Sequence, residues 1–451
     1  MSEPRTNNDR VFYRNPKKFY PTAERAEGIY IYDTEGKRYI DGSGGAVVVG
    51  IGHGVKEITD AMVRQANKIA FSHGSQFASQ PAVELAAKLV EFSPKGLTKV
   101  YFLSGGSEAV ETTVKLARQY QVERGKPSKY KVISRWTSYH GNTLGALALS
   151  GHTGRRRLYL PLMQHTPHIV PAYCYRCPFG LTPEKCNLEC ALDLEKTILY
   201  EGPDSVSAFL AEPIVGATAG ALVPKGGYFQ KIREICDRYD VLLIADEVMT
   251  GMGRTGKNFG IDHWNVVPDM IAVGKGLSSG YTPIYTVIVK EEIHEAIQKG
   301  SGNFIHGHTY SQNPLSSAIA CAVMDYLTQH HLVSKSAQQG EYLLKALQAL
   351  SHHEFVGDIR GRGLFVGIEF VKDKKTKEPF DPKLKLNGLI ASCAFEKGLI
   401  TYPGGGGADG VNGDHLLLGP PLIITGKQID EMVSILDVTF SEICKSALQA
   451  S

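Results

Sequence analysis

The feature that most constrains the fold is a regular alternation of short apolar segments and helical segments, from about residue 82 to residue 275. The apolar segments have the length of buried strands, and stretches with helical spacing of apolar residues separate them. This alternation predicts an α/β fold, with a mostly parallel sheet covered by helices on both faces. Ligands of such folds bind where the strands end. The predicted strands lie at 100–103, 130–134, 206–213, 241–247 and 269–275.

The pattern changes on both sides of this region. Apolar alternation around a turn at 29–40 predicts a hairpin. Apolar spacing at 55–69 predicts a helix. Farther along, we expect one long helix at 321–350, a strand at 363–371 and a closing helix from about residue 427.

A chain of 451 residues is long enough for two domains. We predict a large cofactor-binding domain at 65–325 and a smaller α+β domain. The smaller domain combines an N-terminal segment, 1–64, with the C-terminal part, 326–451, because chain termini often lie close together.

The composition is that of a soluble globular protein, with 43% hydrophobic and 21% charged residues. The net charge of +3 is spread along the chain, so neither nucleic acid nor a membrane surface is predicted as a partner. The start, MSEPRTNNDR, lacks the apolar segment of a secretory signal. Eight cysteines in so long a chain do not form a disulfide scaffold. We therefore expect a reducing, cytoplasmic location.

The turn after the first predicted strand is a candidate phosphate site. It reads Leu-Ser-Gly-Gly-Ser-Glu at 103–108 and leads into a helix. Glycines at Gly105 and Gly106 let the backbone approach an anion, and free amides at a helix start point towards it. The alternative is an ordinary tight turn with Ser107 as the helix cap.

A second strand end carries the carboxylates Asp246 and Glu247. A buried strand that ends in a carboxylate needs a partner for the charge. A helix cap or a structural ion pair is one interpretation. The functional one is a carboxylate that keeps a heterocyclic nitrogen protonated.

A third strand end reads Gly274-Lys275-Gly276. Lysines usually lie on solvated faces, whereas this one follows an apolar strand and is flanked by residues without side chains. Loss of water around the amine would lower its pKa and make it nucleophilic. A phosphate cradle, an acid for a pyridinium and a strand-end lysine are together what pyridoxal phosphate (PLP) requires. We predict that Lys275 carries PLP as a Schiff base and that Asp246 protonates its ring nitrogen.

With these residues, the sequence resembles the class-III aminotransferases, fold-type-I PLP enzymes. The resemblance extends over nearly the whole chain and implies a homodimer or a dimer of dimers. It also implies that the substrates are an amine donor and a keto acid acceptor. The segments that match include Tyr139-His140-Gly141, Glu212-Pro213, Asp246-Glu247-Val248, Gly253-Arg254-Thr255-Gly256, Lys275-Gly276 and Thr309-Tyr310-Ser311.

The resemblance also implies roles for single residues. Tyr139 and Val248 would cover the two faces of the cofactor ring, and Glu212 would help position Asp246. Thr309 would reach the phosphate of the cofactor in the neighbouring subunit. The remaining cofactor-binding residues implied are Gly105, Gly106, Ser107, His140 and Gly141, and no metal is predicted in the site.

Two departures from the family concern the substrate carboxylate. Acetylornithine and 4-aminobutyrate aminotransferases carry Arg after the His-Gly pair, where this chain has Asn142. Many ω-transaminases carry a mobile Arg before the C-terminal Gly-Asp, but here 404–412 reads GGGGADGVN. An amide cannot pair with a carboxylate bidentately, as a guanidinium does.

A third departure concerns the size of the pocket entrance. Ala46-Val47 replaces the aromatic residue often found in amine transaminases. The roomier entrance favours an ω-amine, a β-amino acid or an aminosulfonate such as taurine as donor, with pyruvate or 2-oxoglutarate as acceptor.

The motifs leave two other functions open. PLP-dependent racemases and lyases of the same family share the lysine, the acid and the cradle. A non-catalytic PLP-binding protein is the alternative from another class, although such a protein has no need of Lys275, Asp246 and Thr309 together.

Four cysteines form a separate feature, Cys174-x2-Cys177-x8-Cys186-x3-Cys190. The spacing is compatible with a structural zinc site, with reduced thiols or with one or two disulfides.

Overall fold

A computed structural model describes residues 9–445. The ends of the predicted 1–64 and 326–451 regions lie outside the described residues. The strands, in chain order, are β1 (Ala23–Glu27), β2 (Tyr30–Asp33), β3 (Arg38–Asp41), β4 (Leu97–Leu103), β5 (Lys131–Arg135), β6 (His168–Ile169), β7 (Val206–Ala211), β8 (Leu242–Asp246), β9 (Met270–Val273), β10 (Tyr285–Lys290), β11 (Val356–Arg362), β12 (Phe365–Phe370), β13 (Leu399–Ile400), β14 (Tyr402–Gly405) and β15 (Asp414–Leu418).

The helices alternate with these strands through the middle of the chain. In chain order they are α1 (Gly44–Val47, a distorted turn), α2 (Lys56–Lys68), α3 (Gln80–Phe92), α4 (Gly106–Glu123), α5 (Leu144–Leu149), α6 (Thr153–Arg156), α7 (Glu189–Glu201), α8 (Tyr228–Arg238), α9 (Glu291–Lys299), α10 (Pro314–Gln329), α11 (Leu332–Gln348), α12 (Leu386–Glu396) and α13 (Gly426–Ile443).

The central sheet has seven strands in the order β4-β10-β9-β8-β7-β5-β6. Strand β10 is antiparallel to both of its neighbours, whereas the pairs from β9 to β6 are parallel. Every residue of β7, β8 and β9 is buried, as expected when helices cover both faces of a sheet. The predicted α/β fold with a mostly parallel sheet is confirmed.

Strand β10 is the part of this sheet that the alternation of strands and helices did not predict. Residues 274–284, between β9 and β10, contain only a short 3-10 turn, Lys275–Leu277. An antiparallel neighbour needs no crossover helix, so this strand does not follow the alternation of strands and helices that predicts the others.

Two smaller sheets flank the central one. The predicted N-terminal hairpin forms as β2 and β3, and β3 pairs in parallel with β13 from the C-terminal region. The other sheet has the order β11-β12-β15-β14. The pairing of β3 with β13 supports the domain boundaries given above, which we keep as a proposal.

The single long helix predicted at 321–350 is wrong. Two helices occupy this region, α10 and α11, and the chain turns between them at His330 and His331. His331 has a left-handed backbone, with φ of 53°, which ends one helical path and redirects the chain. The apolar spacing continues across the turn because both helices pack on the same core.

The parallel strands bring their carboxyl ends to one edge of the central sheet. The segments that follow β4, β5, β7, β8 and β9 therefore meet there. Between residues 9 and 445, none of the helices has both the length and the apolar character to cross a bilayer.

Candidate active site

The glycine turn after β4 leads directly into helix α4. The helix begins at Gly106, with Gly105 as its cap residue, and no side chain caps its first turn. Ser107 is therefore not the helix cap. Its hydroxyl instead accepts a hydrogen bond from the backbone N–H of Asn142 at 2.8 Å. The first amides of α4 are left as donors for an anion, as a phosphate cradle requires.

The Tyr139-His140-Gly141 segment packs against this turn. Gly141 has a φ of 143°, and a Cβ there would lie 2.6 Å from the Ser107 hydroxyl. A side chain at position 141 would thus collide with the cradle. The structure brings together two segments that are far apart in the sequence.

Asp246 lies buried at the end of β8. Its Oδ2 is 2.7 Å from Nδ1 of the buried His140, and its Oδ1 accepts from the backbone N–H of Val248 at 3.1 Å. Among residues 9–445, the other ring nitrogen of His140 has no hydrogen-bond partner. These contacts hold the carboxylate in one orientation at the edge of the sheet.

The neighbouring Glu247 has a different environment. It accepts hydrogen bonds from the Thr250 hydroxyl and from the backbone N–H groups of Gly260 and Ile261. Burial raises its pKa to about 7. Glu247 thus orders the loop after β8, and Asp246 is the acid available to a ligand.

Glu212 follows β7 and is buried. Its carboxylate accepts from the backbone N–H groups of Tyr139, at 3.0 Å, and Gly216, at 2.9 Å. Burial raises the pKa of Glu212, and His140 offsets this only in part. Glu212 therefore fixes the backbone that carries Tyr139 and His140.

Lys275 follows β9 in a left-handed conformation, with φ of 47°. Such backbone is uncommon outside glycine and clusters at functional sites. The amine donates to the backbone carbonyl of Ala46 at 2.9 Å. Burial lowers the pKa of Lys275 from 10.5 to about 8, against the opposing effect of Asp246 and Glu212. The amine is thus deprotonated more readily than that of an ordinary lysine.

The ring of Tyr285 connects two of the glycine positions. A Cβ at Gly274 would lie 1.8 Å from this ring, and one at Gly106 would lie 3.3 Å from it and 3.5 Å from Val248. Burial and the charge of Asp246 raise the pKa of Tyr285. Tyr285 is thus the packing surface between the cradle and the lysine turn.

Of the predicted site residues, Thr309 does not follow a strand, although the neighbouring His308 lies 3.8 Å from Glu108 in the first turn of α4. Thr309 is exposed, in the irregular segment between α9 and α10. None of the hydrogen bonds described for 9–445 joins it to the other site residues. Hydrogen bonds join Tyr139 to Glu212 and His140 to Asp246, and the charges of both carboxylates act on Lys275.

The sequence did not single out Tyr285 or Arg155, and it singled out Ala46 for the size of the pocket entrance and not for a contact with Lys275. Ala46 contributes its backbone carbonyl, and Tyr285 is the first residue of β10, the strand that the sequence pattern did not predict. Arg155 lies in the short helix α6, with its guanidinium carbon 4.3 Å from the centre of the Tyr139 ring. An arginine 14 residues after a motif, beyond helix α5, cannot be linked to that motif from a single sequence.

The four clustered cysteines are free, as are the other four. Burial raises the pKa of Cys190 to about 12, and the neighbouring thiols add to this effect. In the described part of the chain, the group with three possible ligand atoms within 4.8 Å is His352, His353 and Asp437. The four thiols do not meet this distance, but they lie close enough to raise the pKa of Cys174 and Cys190, so the zinc alternative stays a prediction.

The residues at the sheet edge fit PLP. The uncapped start of α4 suits a phosphate, and the buried Asp246 suits a protonated ring nitrogen. Lys275 offers an amine with a lowered pKa. The glycines at 106, 141 and 274 leave space that a side chain would fill.

Comparison with known proteins agrees with this geometry. The sequence profile of the family described as Aminotransferase class-III matches residues 12–440. The chain is 42% identical to the uncharacterized aminotransferase YodT of Bacillus subtilis, over 95% of this chain and 96% of YodT. It is 38% identical to the putrescine–pyruvate aminotransferase of Pseudomonas aeruginosa, over 91% of this chain and 88% of that enzyme.

A solved structure extends the agreement to the whole fold. The omega transaminase from Pseudomonas jessenii in complex with PMP superposes with a TM-score of 0.89 at 34% identity, over 96% of this chain and 94% of that one. The chain therefore belongs to the class-III aminotransferases, PLP-dependent enzymes of fold type I.

Proposed function

We propose that this aminotransferase moves an amino group from an ω-amine, a β-amino acid or an aminosulfonate such as taurine to a keto acid, pyruvate or 2-oxoglutarate. The transfer follows a ping-pong route, in which the donor product leaves before the acceptor binds. The observation that carries the proposal is the network of Lys275, Asp246 and Glu212, with a lysine amine that burial makes nucleophilic.

The surroundings of Ala46 support a donor with some bulk. The Ala46 carbonyl accepts a hydrogen bond from the Lys275 amine, so residues 46 and 47 lie in the segment beside this amine. Neither is aromatic, which leaves room for a substrate chain. The putrescine–pyruvate activity of one relative also favours an ω-amine donor and pyruvate.

When bound, PLP supplies an electron-withdrawing ring that accepts electrons from the substrate carbon. In our proposal, Asp246 holds the proton on the ring nitrogen and so maintains this withdrawal. His140 and the Val248 amide keep the Asp246 carboxylate facing the ring. Glu212 would not touch the ring, and it accepts a hydrogen bond from the Tyr139 backbone and so fixes that segment.

Lys275 has two tasks in this scheme. Its neutral amine would hold the cofactor, and the same nitrogen, once released, would take up and return the proton of the substrate. The neutral amine is needed for attachment and for taking up the proton, and the protonated amine is needed to return it. The lowered pKa of Lys275 supports both near neutral pH.

The pH dependence of cofactor uptake follows from this pKa. Lys275 is protonated and inert below about 8 and neutral above it, so we expect the uptake rate of PLP by the apoprotein to rise with pH and level off above about 8. Stopped-flow visible absorption measures this rate. A midpoint at the ordinary lysine value of 10.5 would contradict the environment described for this amine.

We assign Thr309 to the partner subunit's cofactor phosphate, which makes a homodimer, or a dimer of dimers, the active unit. The exposure of Thr309 supports a role across an interface. The cysteines, all free, support a reducing compartment such as the cytoplasm.

Thr309→Ala is expected to weaken PLP binding about ten-fold to one-hundred-fold, because a hydrogen bond to a charged phosphate is lost. Equilibrium dialysis of PLP against the apoprotein measures the affinity. Thr328→Ala, at an exposed threonine of α10, is the matched control. Equal affinities for the two variants would remove Thr309 from the phosphate site.

The proposal is tested by visible absorption of the holoenzyme mixed with single amines in the absence of a keto acid. The panel contains taurine, β-alanine, 4-aminobutyrate, putrescine and 1-phenylethylamine. We expect the cofactor band to bleach with at least one amine and to return with pyruvate or 2-oxoglutarate. A band that persists while product or ammonia accumulates would favour the racemase or lyase alternative. A bound cofactor whose absorption band changes with none of the amines, and without any product, would favour the alternative of a non-catalytic PLP-binding protein.

A further inference from the structure

We propose that Arg155 binds the carboxylate of the keto acid acceptor, an assignment that rests on the function proposed above. The sequence places no arginine at the two positions where relatives of this family carry one, since Asn142 and the glycine-rich stretch 404–412 occupy them. A keto acid nevertheless brings a carboxylate to the site, and a desolvated carboxylate needs a cationic partner.

The position of Arg155 is suited to this task. Its guanidinium carbon lies 4.3 Å from the centre of the Tyr139 ring. The next residue in the chain, His140, contacts Asp246. The positive charge of Arg155 also contributes to the lowered pKa of Lys275. The guanidinium is thus within electrostatic range of the reacting amine.

The charge of Arg155 is not neutralised within the protein. Across residues 9–445, no carboxylate forms an ion pair with it, in contrast to Arg176 and Arg360, which both pair with Glu369. The hydrogen bond described for its guanidinium is a long one, 3.5 Å, to the hydroxyl of Tyr402. Most of the guanidinium donors are therefore available, and their planar arrangement matches the two oxygens of a carboxylate.

A groove lies beside Arg155. It has a volume of about 450 Å³ and is bordered by Arg155, His152 and the glycines Gly405, Gly406 and Gly410. The glycine-rich stretch forms one wall, where Val411 is the residue with a side chain that borders the groove. Arg157 borders the same groove and provides a second positive charge for comparison.

A purely structural role, in which Arg155 only stacks on Tyr139, makes different predictions. If Arg155 only stacks on Tyr139, its replacement would lower kcat/KM equally for acceptors with and without a carboxylate. Binding of a carboxylate is specific to the acid. The acceptors pyruvate and propanal differ in this group and therefore separate the two roles.

Arg155→Met is expected to lower the ratio of kcat/KM for pyruvate to kcat/KM for propanal by about ten-fold to one-hundred-fold, with the main change in the KM for pyruvate. Arg155→Lys retains the positive charge without the planar pair of guanidinium donors, so we expect it to lower the ratio less than Arg155→Met does. Arg157→Met is the matched control and should keep the wild-type ratio. An unchanged ratio in Arg155→Met would overturn the assignment.

A binding measurement keeps this test independent of turnover. Isothermal titration of the holoenzyme with propionate, an unreactive carboxylate, should show an affinity at least about ten-fold weaker in Arg155→Met than in wild type or Arg157→Met. If this difference appears but no amine bleaches the cofactor, the proposed transfer fails and the carboxylate site stands. If amines are transferred but propionate binds all three proteins equally, the Arg155 assignment fails alone.

Discussion

Replacing Lys275 by alanine is expected to remove both the attachment of the cofactor and the proton transfer in each half-reaction. Loss of a positioned acid–base group costs about 100-fold to 10,000-fold in rate, and loss of the covalent attachment adds to this. The variant removes the amine that donates to the Ala46 carbonyl and leaves the space of the buried lysine side chain empty. Steady-state rates and the visible spectrum of the variant measure the two effects.

Two comparisons make this result specific. Lys275→Arg keeps the positive charge but cannot form a Schiff base, so it should be as inactive as Lys275→Ala. Added methylamine should restore part of the activity of Lys275→Ala and none of that of Lys275→Arg, because only the alanine variant leaves space for it. Turnover near the wild-type rate in Lys275→Ala would refute the role of this lysine.

Asp246→Asn is expected to fold and to lose about 100-fold or more of its rate, comparable to the loss of one preorganised charge-stabilising group. The amide has nearly the shape of the carboxylate, and its oxygen can still accept from the Val248 amide. It carries no charge, however, and so does not hold a proton on the ring nitrogen. The electron withdrawal at the substrate carbon falls accordingly. Single-turnover rates with a saturating amine measure this loss directly.

The control for Asp246→Asn is Asp60→Asn, which removes the same charge from the surface of helix α2, where Asp60 pairs with Lys56. Thermal melting of both variants separates stability from chemistry. A wild-type single-turnover rate in Asp246→Asn would mean that another group protonates the ring.

Much of the fold followed from the sequence because buried parallel strands have a strong local signature. The apolar runs that become β7, β8 and β9 are buried throughout, and each ends at a predicted site residue or just before one. Strand β10 carries an equally apolar run but follows no crossover helix. Its antiparallel pairing, and with it the place of Tyr285, depended on contacts between distant segments.

The chemistry of the site was predictable to the level of residue types, and less so to the level of contacts. The sequence favoured neither member of the pair Asp246 and Glu247 by charge alone. The structure separates them, since Glu247 binds backbone amides of its own loop and Asp246 contacts His140. The sequence did not predict Arg155 as a site residue, for a related reason. Its distance from Tyr139 depends on the path of the chain after α5, which no local pattern specifies.

The central claim, transfer of an amino group, is tested most directly by following the nitrogen itself. The holoenzyme would be incubated with a heavy-nitrogen-labelled donor found in the amine panel, and pyruvate would be added after the free donor is removed. We predict that the label stays with the protein until pyruvate is added and is then recovered in alanine, in an amount equal to the active sites. Release of the label as ammonia before pyruvate is added, or unlabelled alanine afterwards, would contradict the account.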